Sequence, residues 1–199
     1  MILKFLDYIK ADLYRYSGDV GIKSFVKKYI RAEGFRFTVW MRICTFSKKS
    51  KITKYTIFPI ALFVYRHYKY KYGYDIPYSI DIGPGLLIFH ICNIVLSAQK
   101  VGKNMTISQG CTVGMVIRDG KKEFPIIGDN VYMAPGSKII GGVTVGDNAA
   151  IGTNCVLNKS VDANAVVVGI PGRVISYKGA HEYVNNPIDE VALYGKVSV

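Results

Sequence analysis

The sequence predicts a parallel β-helix entered through a basic, α-helical front end. Three observations carry this expectation. From Ile76 an aliphatic side chain recurs every six residues, at Ile76, Ile82, Ile88 and Ile94, then at Val101, Ile107 and Val113. After an interruption it resumes at Ile127, Met133, Ile139, Val145, Ile151 and Leu157. Glycine follows many of these anchors, and asparagine stands three past several of them (Asn104, Asn130, Asn148, Asn154); both tolerate the left-handed backbone of a tight corner. The excess positive charge all precedes the repeat: of a net +12, residues 1–74 hold 16 Lys/Arg and 4 Asp/Glu, and residues 75–199 hold 10 of each.

In chain order, residues 2–16 place Ile2, Phe5, Leu6, Ile9 and Leu13 at helical spacing, and 21–31 and 35–46 read alike. Residues 52–72 predict a further helix that carries Pro59, apolar early and basic late at Arg66, Lys69 and Lys71. Residues 1–74 are therefore expected to cover the top of the coil. Residues 75–175 form the coil itself, because a period of six matches neither a helix nor a simple hairpin protein, whereas short strands joined by corners satisfy it. The run 114–126 is expected as a loop thrown out of the coil and 176–199 as a C-terminal tail. The position four past each anchor is small or apolar, so Cys92, Cys111 and Cys155, which fall in that row, are expected to fill the core.

Composition excludes several classes. Lys4, Asp7, Lys10 and Asp12 interrupt any leader peptide. The longest uncharged apolar run, YTIFPIALFVY (55–65), is shorter than the roughly 18 residues of a spanning helix. The four cysteines show neither CxxC pairing nor zinc-ligand spacing, so no metal is expected, and the thiols are expected reduced in the cytoplasm. The basic, tyrosine-rich front end fits attraction to anionic lipid at the inner membrane face, or a solvated face on an oligomer, better than nucleic acid, for which no binding motif is present.

His90 is the chain's unusual titratable group, set in LLIFHICNIVLS (86–97). If three six-residue units make one turn, the third residue of the unit at Ile88 points outward. Gln109, Pro135 and Thr153 then lie below His90 in one column, at a strand spacing of about 4.8 Å. Asp75, just ahead of the first anchor, is expected at the corner of residue 93, one turn above.

The repeat, closing on VVVGIPGRVI (166–175), resembles that of the hexapeptide-repeat acyltransferases. That likeness implies left-handed winding and a homotrimer. Through DLYRYSG (12–18), GFRFTVWMRI (34–43), YRHYKYKYGYDIP (65–77), IGPGLLIFH (82–90) and ISQGCTVG (107–114), the chain looks most like the serine acetyltransferase branch. More narrowly, it resembles the serine acetyltransferase-like O-acetyltransferases of bacterial capsule and exopolysaccharide synthesis.

The resemblance implies that acetyl-CoA is a co-substrate lying along the His90 column between subunits. Gly114, Ala134, Pro135, Gly152 and Thr153 would contact it, with Arg173 near its adenosine-phosphate end. It also implies that His90 is the catalytic base and Asp75 its orienting partner. Imidazole suits the task because it titrates near neutral pH. Gly114 is an expected backbone donor to the oxyanion.

The chain departs from the serine acetyltransferase pattern at two places. Phe89 stands where an acid precedes the histidine, and Glu123-Phe124 stands where an Arg-His pair precedes Pro125. Phe89, Asn93, Glu123 and Phe124 are the expected acceptor contacts, and an aromatic floor with one acid suits a neutral sugar. The expectation is therefore acetyl transfer to a hydroxyl of a surface-polysaccharide sugar or its precursor. Serine O-acetylation for cysteine synthesis is the alternative, and a non-catalytic trimeric scaffold the second.

Overall fold

A computed structural model describes residues 2–188, with side chains from Phe5 onward; positions 189–199 of the expected tail lie outside the described residues. Four helices come first: α1 (Ile2–Ser17), α2 (Ile22–Arg31), α3 (Glu33–Ser47) and α4 (Lys51–Tyr72). The apolar spacing in the sequence finds all four, within two residues at their starts. α3 is the hub, burying Phe35, Phe37, Val39, Met41, Cys44 and Phe46, and α1, α2 and α4 pack around it. Its Phe37 ring lies edge-on to Tyr74 at 5.0 Å, joining the helical layer to the coil. α4 ends because Gly73 takes a left-handed conformation (φ 67°), its N–H returning to the Lys69 and Tyr70 carbonyls. Among the described residues no helix is long and apolar enough to cross a membrane.

From Gly73 the chain winds through three parallel sheets in rotation. The first contains β1 (Tyr74–Asp75), β4 (Ile94–Leu96), β7 (Thr112–Gly114), β12 (Lys138–Ile140) and β15 (Val156–Leu157). The second contains β2 (Asp81–Ile82), β5 (Lys100–Val101), β10 (Ile126–Ile127) and β13 (Thr144–Val145). The third contains β3 (Leu87–Ile88), β6 (Thr106–Ile107), β11 (Tyr132–Met133), β14 (Ala150–Ile151) and β16 (Val166–Val168), edged by the antiparallel β17 (Arg173–Ser176). The predicted interruption is a two-stranded hairpin, β8 (Val116–Arg118) with β9 (Lys121–Glu123).

Every six-residue anchor from Ile76 to Leu157 is buried, in one continuous core. At the corner between the second and third sheets, Asn104, Asn130 and Asn148 all have positive φ. Their side chains form a ladder, Asn104 Nδ2 donating to Asn130 Oδ1 (2.8 Å) and Asn130 Nδ2 to Asn148 Oδ1 (2.9 Å). The residue that tolerates the turn also satisfies its neighbour one coil below.

Two expectations need correction. Cys111 and Cys155 fill the core, but Cys92 is exposed. Its N–H is drawn to the Tyr72 carbonyl at the end of α4 (2.8 Å) and its φ is 88°, so the first corner bends differently from those below it. Asp75 pairs in register with Val95, not with residue 93, because the corner between β3 and β4 holds two extra residues, so that Leu96 rather than Ile94 stands opposite Val113.

Candidate active site

Strand β3 delivers the histidine, and the helical layer holds β3. The Tyr16 hydroxyl of α1 accepts from the Ile88 N–H (2.9 Å) and donates to the Ile88 carbonyl (3.1 Å). α3 can come this close only because residue 34 is glycine: an added Cβ there would run into the Ile88 carbonyl and the Tyr16 hydroxyl. Beyond Ile88 the chain leaves the core. Phe89, His90, Ile91, Cys92 and Asn93 are all exposed.

The His90 backbone carbonyl accepts a hydrogen bond from Tyr74 Oη (3.2 Å). Burial pushes the Tyr74 phenol well above its usual range, which keeps it a donor. The His90 ring is thus turned outward from a fixed backbone, with the Phe89 ring 6.2 Å away between centroids. Among the described residues, no side chain or backbone group hydrogen-bonds the ring. Asp75 gives one carboxylate oxygen to Lys69 Nζ at 2.7 Å.

The lower rungs of the column read from the repeat are present: register pairs Ile107 with Met133 and Met133 with Ile151, which sets Pro135 and Thr153 in turn below Gln109. The top rung differs, because the corner after β3 holds two extra residues. The Gly136 N–H bonds the Gln109 carbonyl and the Asn154 N–H the Pro135 carbonyl, but the Gly110 N–H bonds that of Cys92, so His90 stands out from the corner above Gln109 rather than in register with it. Ala134 and Gly152 flank that column, and Arg173 opens β17 at its far end, just after Gly172, which packs on Cys155 and Val156. Gln109 Oε1 is buried without a partner among the described residues, and such a missing hydrogen bond is costly.

Other expected residues lie elsewhere on the chain. Gly114 ends β7 in the first sheet, and the hairpin leaves from there. Glu123 packs on Gly142 and lies 3.9 Å from Arg118, at the corner between the first and second sheets. His90 and Asn93 occupy the corner between the third and first sheets. Within one chain the first sheet therefore separates Gly114, Glu123 and Phe124 from His90.

Sequence reasoning missed a buried polar anchor beneath this site. Asp12 of α1 accepts from Arg42 Nε (2.9 Å) and Nη2 (3.2 Å), and from the Gly85 and Leu86 N–H groups (2.8 and 2.9 Å). Arg42 also donates to the Ile82 and Gly83 carbonyls, both at 2.6 Å. Arg15 donates to the Asn185 and Asn104 carbonyls and to Thr106 Oγ1. Asp12 and Arg15 lie within DLYRYSG and Arg42 within GFRFTVWMRI, so the segments were visible although the contacts were not.

Residues 124–159 match the family model described as bacterial transferase hexapeptide (six repeats). The chain is 39% identical over 108 residues to the serine acetyltransferase of Staphylococcus xylosus, an alignment covering 54% of this chain and 50% of that protein. The chain thus spans about half the length of that curated relative.

In three dimensions it resembles the Neisseria gonorrhoeae serine acetyltransferase solved in complex with serine. The TM-score is 0.69 at 24% identity, over 87% of this chain and 70% of that one. A serine acetyltransferase solved in complex with CoA matches with a TM-score of 0.67 at 22% identity, over 87% of this chain and 70% of that one. The hexapeptide repeat and the serine acetyltransferase type of fold are therefore shown.

The same likenesses overturn the expected surface-polysaccharide acceptor, since the matched proteins are serine acetyltransferases. The capsule affinity and the saccharide partner fall with it. That expectation weighed only Phe89 and the Glu123-Phe124 pair.

Proposed function

We propose that this chain transfers the acetyl group of acetyl-CoA to the side-chain hydroxyl of L-serine, with His90 as general base. The observation that carries the reading is the outward imidazole on a fixed backbone, with neither ring nitrogen engaged by another described residue. Neutral His90 takes the hydroxyl proton as the serine oxygen attacks the thioester carbonyl. The tetrahedral intermediate collapses with loss of the C–S bond, and the imidazolium returns the proton to the departing thiolate. Asp75 is kept as the orienting carboxylate: Lys69 takes one of its oxygens and leaves the other. Phe89 and Asn93 flank the base.

Acetyl-CoA would lie along the column on Ala134, Pro135, Gly152 and Thr153, with Arg173 at its far end. Gly114, Glu123 and Phe124 leave from a different corner of the same chain. In this reading they complete the column of a neighbouring subunit of a trimer, with left-handed winding of each coil. Light scattering is expected to give about three times the 22.1 kDa chain mass.

The deciding assay measures free CoA thiol with acetyl-CoA and L-serine together. Release that depends on serine is expected, yielding O-acetylserine. Its absence would overturn the reading, and a folded trimer without turnover would leave the scaffold alternative.

For location, α2 supports peripheral contact of a cytoplasmic protein with an anionic membrane. Ile22, Val26 and Ile30 are 75%, 50% and 64% exposed, beside Lys23 and Lys27. Sedimentation with phosphatidylglycerol vesicles, but not phosphatidylcholine vesicles, is expected, and Val26→Asp should reduce it. Equal sedimentation with both would count against an electrostatic contact.

A further inference from the structure

A cavity of about 500 Å³ opens beside the His90 corner, between α1, the α2–α3 junction and β3. Its wall includes Arg15, Lys28, Arg31, Glu33, Phe89 and Asn185. Three cations face one acid, so the wall carries two net positive charges. Phe89, the residue before the base, belongs to this wall, so the cavity reaches the segment that carries His90.

The buried charge underneath points the same way. Asp12 is shared between Arg42 and two backbone N–H groups, so its single negative charge is already matched. Arg15 is 1% exposed and has only neutral partners: two carbonyls and a hydroxyl. Burial lowers its pKa to about 10, which still leaves it a cation at neutral pH. Asp12 also acts on Arg15 through charge, so two buried guanidinium groups share one carboxylate and leave a net positive charge beneath the cavity. Lys28 and Arg31 add mobile donors at the rim, and neither forms an ion pair among the described residues.

We propose that this cavity is an oxyanion subsite for the acceptor, taking the carboxylate of serine between Lys28 and Arg31 above Arg15. The proposal rests on the serine reading. It also accounts for Glu123 standing where the resemblance calls for arginine: the cation for the carboxylate comes from the helical layer rather than from the loop. A free inorganic oxyanion shares the required chemistry and serves as a second probe.

The test compares the wild type with the double variant Lys28→Gln/Arg31→Gln, both changes at the rim of the cavity. With L-serine, KM is expected to rise at least about tenfold while kcat changes less than about threefold, the loss of charge-assisted contacts to a ground-state carboxylate. With L-serinamide, which lacks the carboxylate, the two proteins should be alike. An equal rise for both acceptors, or no rise, overturns the subsite. A second arm needs no turnover: inorganic sulfate titrated calorimetrically should bind saturably to the wild type and at least about tenfold more weakly to the variant. Absent or unchanged sulfate binding overturns the subsite as well. If the wild type leaves L-serine unacetylated yet binds sulfate as expected, the serine reading fails and the oxyanion subsite stands.

Discussion

His90→Ala is expected to lower kcat/KM for acetyl transfer to serine by about a thousandfold, within the range of a lost general base. A serine hydroxyl is almost wholly protonated at neutral pH, so its attack on a thioester needs a base in place as the bond forms. The ring is free to act because its backbone is held by Tyr74 and its nitrogens are not used to hold the fold. For the same reason the variant should melt within about 2 °C of the wild type, as an exposed substitution away from caps and core should. Acetyl-CoA affinity, measured by calorimetry, should change less than about threefold, because the other rungs of the column are intact. A variant retaining more than about a tenth of wild-type kcat/KM would show that another group, or water, serves as base.

Asp12→Ala is expected to destabilise the fold by about 3–5 kcal/mol, read from chemical denaturation. The carboxylate is fully buried and holds one guanidinium and two backbone N–H groups. Its removal strands Arg42 as a second uncompensated buried cation beside Arg15 and unties the Gly85–Leu86 segment that leads into β3. Asp12→Asn keeps an acceptor for those N–H groups but not the charge, so a smaller loss is expected. A loss below about 1 kcal/mol for the alanine variant would mean that water enters and hydrates both guanidinium groups. Because β3 leads directly into Phe89 and His90, the alanine variant should also lose activity near its melting range before the coil below unfolds.

These two residues were unequally visible beforehand. Counting by six pointed His90 outward, and it is exposed, although the two extra residues of its corner take it out of register with Gln109 below. Asp12 could not, because α1 and Gly85 meet only through folding and nothing in the spacing of DLYRYSG announces a partner more than 70 residues away. Cys92 failed for a related reason: the repeat sends it inward, but the end of α4 captures its N–H and turns the corner. The acceptor failed because two loop departures were allowed to outweigh the likeness of the rest of the chain to serine acetyltransferases.

What the sequence determined by itself was most of what is periodic: the coil, its anchors below the first turn, its asparagine corners, the column from Gln109 down and the positions of four helices. Periodicity survives because each coil repeats the same local packing problem, which nearby residues solve together. Only the tertiary structure decided the first turn of the coil, the shared Asp12 carboxylate, the Lys69 partner of Asp75 and the cationic wall beside Phe89. Those contacts join helices to strands across long separations. They depend on charges and hydrogen bonds placed by three-dimensional docking, which leave no period in the chain.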